Sequence, residues 1–227
     1  MTRARSIAIY DLDRTITHWP TYSHFLLRSA WLIAPLRLLT APIVPLLMLA
    51  YRFKIIGRDR LKVVMWALLL GRTHPERLHA AVEDFTLYTL ARNIRPGAWN
   101  QIGRDRDDGA FLVLATAAHE LYARPIAEAL GFDAVVATRA VCAEDGRVGP
   151  GLIAENCYGD AKLSALTSFL AEHGVEREGS FISFYSDSSS DSPIFGWCDH
   201  PVAVNPSRRL ARLSVIRKWP IADWGRA

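Results

Sequence analysis

The chain contains three short apolar runs, and each of them ends at polar residues. They are residues 7–10, followed by Asp11, residues 111–115, followed by Thr116, and residues 181–185, followed by Ser186 and Asp187. Short runs of this kind, with Ser183 as the one polar residue inside them, are typical of parallel strands that are buried on both faces. The pattern therefore predicts three buried strands whose carboxyl ends carry polar side chains.

Helical periodicity fills the intervals between these predicted strands. The predicted helices cover residues 98–106, 121–130, 161–173 and 208–218, and two further short strands are predicted at 135–137 and 202–204. A glycine-containing stretch, residues 139–153, predicts a β-hairpin. Strands that alternate with helices predict the α/β class with a doubly wound parallel sheet, in which ligands bind beyond the carboxyl ends of the strands.

Residues 17–95 interrupt this alternation directly after the first strand. The stretch is strongly apolar, has a helical pattern and shows no clear strand. We therefore predict an inserted all-helical cap at residues 17–95 and an α/β core made of residues 1–16 and 96–227. The pair Pro96-Gly97 is predicted to form the turn through which the cap returns to the core.

Within the predicted cap, residues 31–51 allow three interpretations. The stretch is long enough to span a bilayer and carries a single charge, Arg37, but three prolines interrupt it and a basic flank follows up to residue 62. It could form short helices packed in the cap, lie with its basic flank (residues 31–62) on an anionic membrane surface, or span the membrane. The prolines and the position inside an insertion favour the packed helices.

Composition and charge narrow the cellular setting. A chain of 227 residues is long enough to bury an ordinary hydrophobic core. Its three cysteines are scattered without metal-ligand spacing, which indicates a reducing compartment, so we expect a cytoplasmic protein. The net charge of +4 comes with basic residues spread along the chain and no nucleic-acid-binding motif, so we expect no nucleic-acid partner. The pattern does not indicate an oligomeric state.

The most informative stretch is Asp11-Leu12-Asp13-Arg14-Thr15. Alternation at the end of a strand places Asp11 and Asp13 on one face, where two carboxylates converge and offer the hard oxygen ligands that Mg²⁺ prefers. A phosphate bound there would meet one carboxylate as an in-line nucleophile, while the other exchanges protons with the leaving alcohol and with water. The ordinary alternative is a strand that ends in a turn capped by aspartates.

Four further side chains complete a fixed order of polar residues along the chain. Thr116 could offer its hydroxyl to a phosphate, or simply cap a helix. Lys162 could neutralise phosphate charge at the start of a helix, or be solvated. Asp187 and Asp191 add two carboxylates in a loop that enters a helix, where Asp191 alone would be a helix cap.

This order, Asp-x-Asp-x-Thr, Thr, Lys and Asp-x-x-x-Asp, resembles the four motifs of the haloacid dehalogenase superfamily, in particular subfamily IB, the phosphoserine-phosphatase-like group. The likeness covers essentially the whole chain, and its most specific parts are residues 11–17, 156–162, 185–193 and 199–206. The resemblance implies a Rossmann-like core with a helical cap inserted after the first motif. It also implies a Mg²⁺-dependent phosphatase that forms an aspartyl-phosphate intermediate.

The same resemblance assigns a role to each motif residue. Asp11 is the nucleophile, Asp13 is the general acid and base, and Thr116 and Lys162 bind the phosphoryl group. The resemblance also implies that Mg²⁺ is held by Asp11, by Asp187 and by Asp13, the last through its main-chain carbonyl.

Four residues have supporting or substrate-contacting roles in this comparison. Thr15 and Asp191 support the metal-binding residues. His18 and Trp19 stand where phosphoserine phosphatases of this group carry a glutamate for the substrate amine, so the sequence does not indicate phosphoserine as the substrate. Both are candidates to contact the leaving group, and the ordinary alternative is aromatic packing at the start of the cap.

Three functions stay open on the sequence alone. The first is hydrolysis of a small phosphorylated metabolite. The second is a membrane-associated lipid-phosphate phosphatase at the inner face of the membrane, because the apolar cap and its basic flank also resemble phosphatidylglycerophosphate phosphatases. The third is a catalytically silent binding module, which is disfavoured because every acidic and basic position of the motifs is filled.

Overall fold

The computed structural model describes residues 5–142, 146–152 and 157–225. The strands are Arg5–Tyr10 (β1), Phe111–His119 (β2), Ala134–Thr138 (β3), Ala140–Cys142 (β4), Val148–Leu152 (β5), Ser180–Ser186 (β6), His200–Val204 (β7) and Ile221–Ala222 (β8). The α-helices are Thr21–Ile33 (α1), Ile43–Arg52 (α2), Arg58–Leu69 (α3), Pro75–Arg92 (α4), Pro96–Asp107 (α5), Glu120–Leu130 (α6), Asp160–Glu172 (α7), Ser192–Trp197 (α8) and Arg208–Arg217 (α9). Short helical turns occupy Leu12–Ile16, Pro35–Thr40 and Ser189–Asp191.

Within the described ranges, six parallel strands form one sheet in the order β3-β2-β1-β6-β7-β8. The chain moves outward from β1 through β2 to β3 and then returns to place β6 on the other side of β1. This arrangement confirms the predicted α/β class with a doubly wound parallel sheet. The β4 and β5 strands pair antiparallel, and the rest of the hairpin predicted at 139–153 lies partly outside the described residues.

The sheet separates two apolar cores because side chains alternate along each strand. In β1, Ile7 and Ile9 face a core that helices α7, α8 and α9 cover on the other side. Ala8 and Tyr10 face the opposite core, which is covered by α5, α6 and the helices that precede them. Both faces of β1 are therefore buried over residues 7–10, which explains why these four residues are all apolar.

Helices α1 to α4 belong to a stretch between the first two strands that we call the helical segment (residues 17–95). Its apolar side chains are continuous with the core on one face of the sheet, since Phe25 packs against Trp66 and Phe85 within the segment and against Tyr122 of α6. The ring centroids of Phe25 and Tyr122 are 4.6 Å apart. The helical segment is thus fixed to the sheet by aromatic packing.

Residues 31–51 are divided among the end of α1, the turn Pro35–Thr40 and α2. Pro35 begins the turn and Pro42 precedes α2, which are positions where the missing backbone N–H of proline is tolerated. Among the described residues, no helix combines the length and apolar character that crossing a membrane requires. The stretch therefore forms short helices, as the prolines indicate.

Two local predictions are wrong. The second strand does not end before Thr116, because β2 continues to His119, which pairs with Thr138 of β3. The pair Pro96-Gly97 does not form a turn, because Pro96 is the first residue of α5, a position for which its fixed φ is suited.

We expect the substitution Phe25→Ala to lower the free energy of unfolding by about 3–5 kcal/mol, because it removes a fully buried aromatic side chain. The matched control on the same helix is Trp31→Ala, whose side chain is 74% exposed and which should change stability by only about 0.5 kcal/mol. Chemical denaturation of both variants measures the difference. Equal effects would contradict the packing described for α1.

Candidate active site

A cavity of about 390 Å³ opens where the carboxyl ends of β1 and β6 lie side by side. This is the point at which the strand order reverses, and open α/β sheets bind ligands there. The cavity wall combines residues of the strand ends with residues of the helical segment. The lining residues are Asp11, Asp13, Arg14, Pro20, Tyr51, Arg58, Thr116, Ala117, Tyr158, Lys162, Asp187, Ser188, Ser190 and Asp191.

Asp11 is the first residue after β1 and is held by both its backbone and its side chain. Its backbone N–H donates to the carbonyl oxygen of Tyr185 at 2.9 Å, which extends the pairing of β1 with β6 by one residue. Its Oδ1 accepts a hydrogen bond from Nζ of Lys162 at 2.8 Å, and its Oδ2 accepts a longer one, 3.4 Å, from the hydroxyl of Thr15. The carboxylate is therefore fixed at the base of the cavity.

Asp13 reaches the same cavity by a sharp turn and not along an extended strand. Arg14 has φ +64°, which reverses the chain directly after Asp13, and its backbone N–H donates to the hydroxyl of Thr17. Oδ1 of Asp13 accepts hydrogen bonds from the backbone N–H and the hydroxyl of Thr21, at 2.6 and 2.7 Å. Thr21 is the first residue of α1, so the helical segment orients this carboxylate.

Lys162 is 2% exposed and extends from the first turn of α7. Gly159, which caps this helix, has φ +58° and ψ −128°, a conformation available in practice only to glycine. Nζ of Lys162 donates to Asp11 and, at 3.0 Å, to Oδ2 of Asp191. Although burial acts to lower the pKa of Lys162, Asp11 and Asp191 raise it above its usual value, and the side chain stays an ammonium.

Asp191 is buried and does not act as a cap for α8, which was the ordinary alternative. Its side chain makes no cap hydrogen bond with that helix. Instead, Oδ2 accepts from Lys162 and, at 2.6 Å, from the hydroxyl of Ser186 at the end of β6. Its other oxygen, Oδ1, is buried without a hydrogen-bond partner among the described residues.

Asp187 follows β6 and faces the cavity beside Asp11. Its backbone N–H donates to the hydroxyl of Thr15 at 2.9 Å, so Thr15 connects the loops after both central strands. Burial raises the pKa of Asp187 to about 6, and the nearby carboxylate of Asp191 acts in the same direction. Burial likewise raises the pKa of Asp11, against the opposing effect of Lys162.

Thr116 lies within β2 and its buried side chain lines the cavity. Its hydroxyl oxygen accepts a hydrogen bond from the backbone N–H of Ala118 at 3.1 Å, which stabilises the irregular end of the strand. Thr116 is therefore not a helix cap, since His119 occupies that position before α6.

His18 and Trp19 do not belong to the described lining of the cavity. The backbone N–H of His18 donates to the carbonyl of Asn93, and the backbone N–H of Trp19 donates to the Asn93 side chain at 2.9 Å. The indole of Trp19 is 51% exposed. These two residues join the beginning of the helical segment to its end, beside the site but outside its wall.

Several lining residues carry no motif signal in the sequence. Tyr51 and Arg58 come from the helical segment, and the guanidinium of Arg58 lies 3.6 Å from the ring centroid of Tyr158 across the cavity. Nζ of Lys62 donates to the carbonyl of Ala117 at 2.5 Å next to the lining. The basic flank after residue 51 was the signal for Arg58 and Lys62, but sequence spacing does not show that they reach the site.

The residues at the site fit a divalent cation of the Mg²⁺ type. Asp11 and Asp187 line the cavity with carboxylates, and Asp13, which also lines it, could add its main-chain carbonyl, so that hard oxygen donors are available. Within 5–142, 146–152 and 157–225, no three His, Cys, Asp or Glu side chains form a metal site by themselves. Two carboxylates and a carbonyl leave coordination positions for water and phosphate, which Mg²⁺ usually retains.

The fold and this site define a hydrolase class. Residues 8–195 match the family described as haloacid dehalogenase-like hydrolase. Because the match covers most of the chain, the protein belongs to the haloacid dehalogenase-like hydrolases.

Two curated relatives align with this chain. The "Inhibition of morphological differentiation protein" of Streptomyces azureus is 29% identical over 229 residues, covering 98% of this chain and 79% of that protein. A histidinol-phosphatase of Neisseria meningitidis serogroup C is 25% identical over 157 residues, covering 68% of this chain and 70% of the relative. Its membership of this hydrolase family, together with the relative named as a phosphatase, makes the chain a phosphoric monoester hydrolase.

Solved structures show the same fold. A protein of unknown function from Bordetella pertussis Tohama I has a TM-score of 0.86 and 25% identity, with 97% of this chain and 99% of that one aligned. A phosphoserine phosphatase, solved as an analogue of its phospho-aspartyl intermediate, has a TM-score of 0.66 and 17% identity, with 96% and 93% aligned. The second likeness concerns the fold alone.

The raised pKa of Asp187 predicts how stability depends on pH without metal. Because the folded chain holds this proton more tightly than the unfolded chain, Asp187 stabilises the fold at low pH, and this contribution is lost as pH rises through about 6. Between about pH 5 and about pH 7, the free energy of unfolding of the metal-free wild type should fall by roughly 1 kcal/mol more than that of Asp187→Asn.

Denaturation curves at several pH values, recorded with chelator, measure this difference. Buried His119, whose pKa burial lowers to about 3, is present in both proteins and cancels in the comparison. Asp11 does not cancel, but burial and the charge of Asp187 both raise its pKa, so it changes the difference in the same direction. Identical pH dependence of the two proteins would contradict the electrostatics described for Asp187.

Proposed function

We propose that this phosphoric monoester hydrolase acts with Mg²⁺ and passes the phosphoryl group through a covalent intermediate on Asp11. The preferred substrate class is a small phosphorylated metabolite. The observation that carries the proposal is the contact of Lys162 with Asp11 and Asp191 in a cavity that Asp13 and Asp187 also line. One carboxylate is fixed there as a nucleophile, and a second is available for proton transfer.

In the first step, a carboxylate oxygen of Asp11 attacks phosphorus and the bond from phosphorus to the leaving alcohol breaks. Lys162 holds Oδ1 and Thr15 contacts Oδ2, so the nucleophile needs little reorientation. The same ammonium, with the hydroxyl of Thr116, would offset the negative charge on the phosphoryl oxygens. Water then attacks phosphorus, which releases phosphate and restores Asp11.

Asp13 is placed to move the proton in both steps. It would give a proton to the leaving alcohol in the first step and accept one from the attacking water in the second. Its two hydrogen bonds from Thr21 fix the carboxyl at the wall of the cavity. This support comes from the helical segment, so proton transfer depends on how that segment lies over the core.

Asp11, Asp187 and the main-chain carbonyl of Asp13 would hold Mg²⁺. When bound, Mg²⁺ supplies positive charge that neutralises the phosphoryl oxygens and keeps the carboxylates ionised. Asp191 supports the site indirectly, because its Oδ2 accepts hydrogen bonds from both Lys162 and Ser186.

The size of the cavity supports a small substrate. About 390 Å³ accommodates a phosphate group with a short organic moiety. Tyr51, Arg58 and Tyr158 also line the cavity and would select the leaving group. The name of one aligned relative, histidinol-phosphatase, agrees with a substrate of this size.

A lipid phosphate is the second candidate substrate, and one specific observation favours it. Tyr51 and Arg58 belong to the part of the helical segment with the most exposed apolar side chains. A phosphate on a lipid head group could therefore reach the cavity from that side.

We expect Asp11→Asn to lower Mg²⁺-dependent phosphate release by about a thousandfold or more, because an amide is a very poor nucleophile. The assay uses a panel of soluble phosphomonoesters and micellar lipid phosphates. The half of the panel that the wild type hydrolyses faster identifies the substrate class. Asp108→Asn, on the surface at the end of α5, is the matched control and should keep full activity. Release that survives in Asp11→Asn would overturn the assignment of the nucleophile.

Asp13→Asn should separate substrates by their leaving groups. The amide oxygen can still accept from Thr21, but the side chain cannot donate the catalytic proton. In the first turnover, release of the leaving alcohol should be slower by about 100-fold or more with an alkyl phosphate. Release of p-nitrophenol from p-nitrophenyl phosphate should slow much less, because this leaving group needs no proton. An equal loss for both substrates would argue against Asp13 as the general acid.

A further inference from the structure

Residues 31–55 expose far more apolar side chain than the rest of the described surface. Leu36 and Leu39 are each 82% exposed, and Leu46 is 65% exposed. With Ile43, Leu49 and Phe53 they form what we call the apolar surface. Contiguous apolar side chains on this scale mark an interaction site, whereas isolated ones are common on any protein.

The exposure of Leu36 and Leu39 follows from the geometry of the turn Pro35–Thr40. In a 3-10 helix, side chains three residues apart point the same way. Arg37 donates to the carbonyl of Ala67 at the end of α3, and Thr40 donates to Leu68 in the same place. That side of the turn is therefore fixed to the protein, and the side with Leu36 and Leu39 faces water.

Helix α2 repeats this arrangement. Val44 is buried in the core and Leu47 packs against it. Ile43, Leu46 and Leu49 follow each other at intervals of three, cover about 120° of the helix surface and are all exposed. The inner side of α2 thus has a partner within the chain, and its outer side consists of large aliphatic residues in contact with solvent.

The charge around the apolar surface is strongly positive. Between residues 31 and 62 the only acidic residue is Asp59. The basic residues of the same stretch are Arg37, Arg52, Lys54, Arg58, Arg60 and Lys62, of which Arg37, Arg52, Lys54 and Arg60 are exposed and Lys62 is buried. Arg37 also lines a second cleft together with Arg72, Arg77 and Arg147, whose lining includes one acidic residue, Glu76. Exposed leucines bordered by basic side chains match a lipid layer with anionic head groups.

We propose that the apolar surface docks on a bilayer that contains anionic lipid, with Leu36, Leu39 and Leu46 in the acyl region and Arg52 and Lys54 at the head groups. A second copy of the chain fits less well, because pairing two such surfaces would bring their positive charges together. The contact does not depend on the chemistry proposed for the site. It would place Tyr51 and Arg58, which line the cavity, near the lipid.

Vesicle sedimentation tests this docking directly. We expect the wild type to bind phosphatidylcholine vesicles that contain phosphatidylglycerol, more weakly as salt rises, and to bind pure phosphatidylcholine poorly. Leu36→Ser combined with Leu46→Ser should weaken binding about tenfold or more. Arg52→Gln combined with Lys54→Gln should weaken binding to the anionic vesicles only.

The matched control is Val215→Ser with Ile216→Ser, since these side chains on α9 are 74% and 75% exposed. It should bind vesicles like the wild type. All variants should keep the wild-type unfolding temperature and phosphate release from a soluble ester, because none of them lines the cavity. Absence of binding to anionic vesicles, or equal loss in the α9 control, would overturn the proposal. So would a wild-type dimer that ignores vesicles and that the leucine variants convert to monomer.

Discussion

The rest of the site depends on the ion pairs that the buried ammonium group of Lys162 makes. A charge without solvent must be paired, and here Asp11 and Asp191 pair it from two sides. The three residues come from the end of β1, the start of α7 and the loop after β6, so these elements have to meet at one point. Placing β6 directly beside β1 in the sheet makes that possible. Buried ion pairs are a poor source of stability, so the stability of the fold does not account for this one, whereas the proposed mechanism gives it a role.

The second constraint is the connection between Asp13 and the helical segment. Thr21 at the start of α1 holds the carboxyl, and Asn93 near the end of α4 binds the backbone of the residues that lead into α1. Both ends of the helical segment are thereby fixed next to the acid that the proposed mechanism uses. The same segment supplies Arg58, which stacks on Tyr158 of the core. In the proposed mechanism, substrate selection and proton transfer would therefore both depend on the helical segment.

The parallel sheet and the strand-end carboxylates were predictable, because buried strands and their polar ends leave local signals. The course of the chain after Asp11 was not, since the turn depends on Arg14 in the left-handed region and on Thr17. Local sequence also could not show that Lys62 reaches Ala117 or that Thr21 orients Asp13, because these contacts join residues far apart or across a turn. Tertiary packing also decides that Tyr51 and Arg58 line the cavity, so the local sequence could not show it.

Trapping the phosphorylated enzyme tests the central claim most directly. Rapid quenching during turnover, followed by borohydride reduction, converts an aspartyl-phosphate to homoserine, which peptide mass spectrometry locates in the chain. The account predicts homoserine at position 11, dependent on substrate and Mg²⁺, and none at position 13. Modification at another aspartate, or active turnover with no reducible acyl-phosphate, would contradict it.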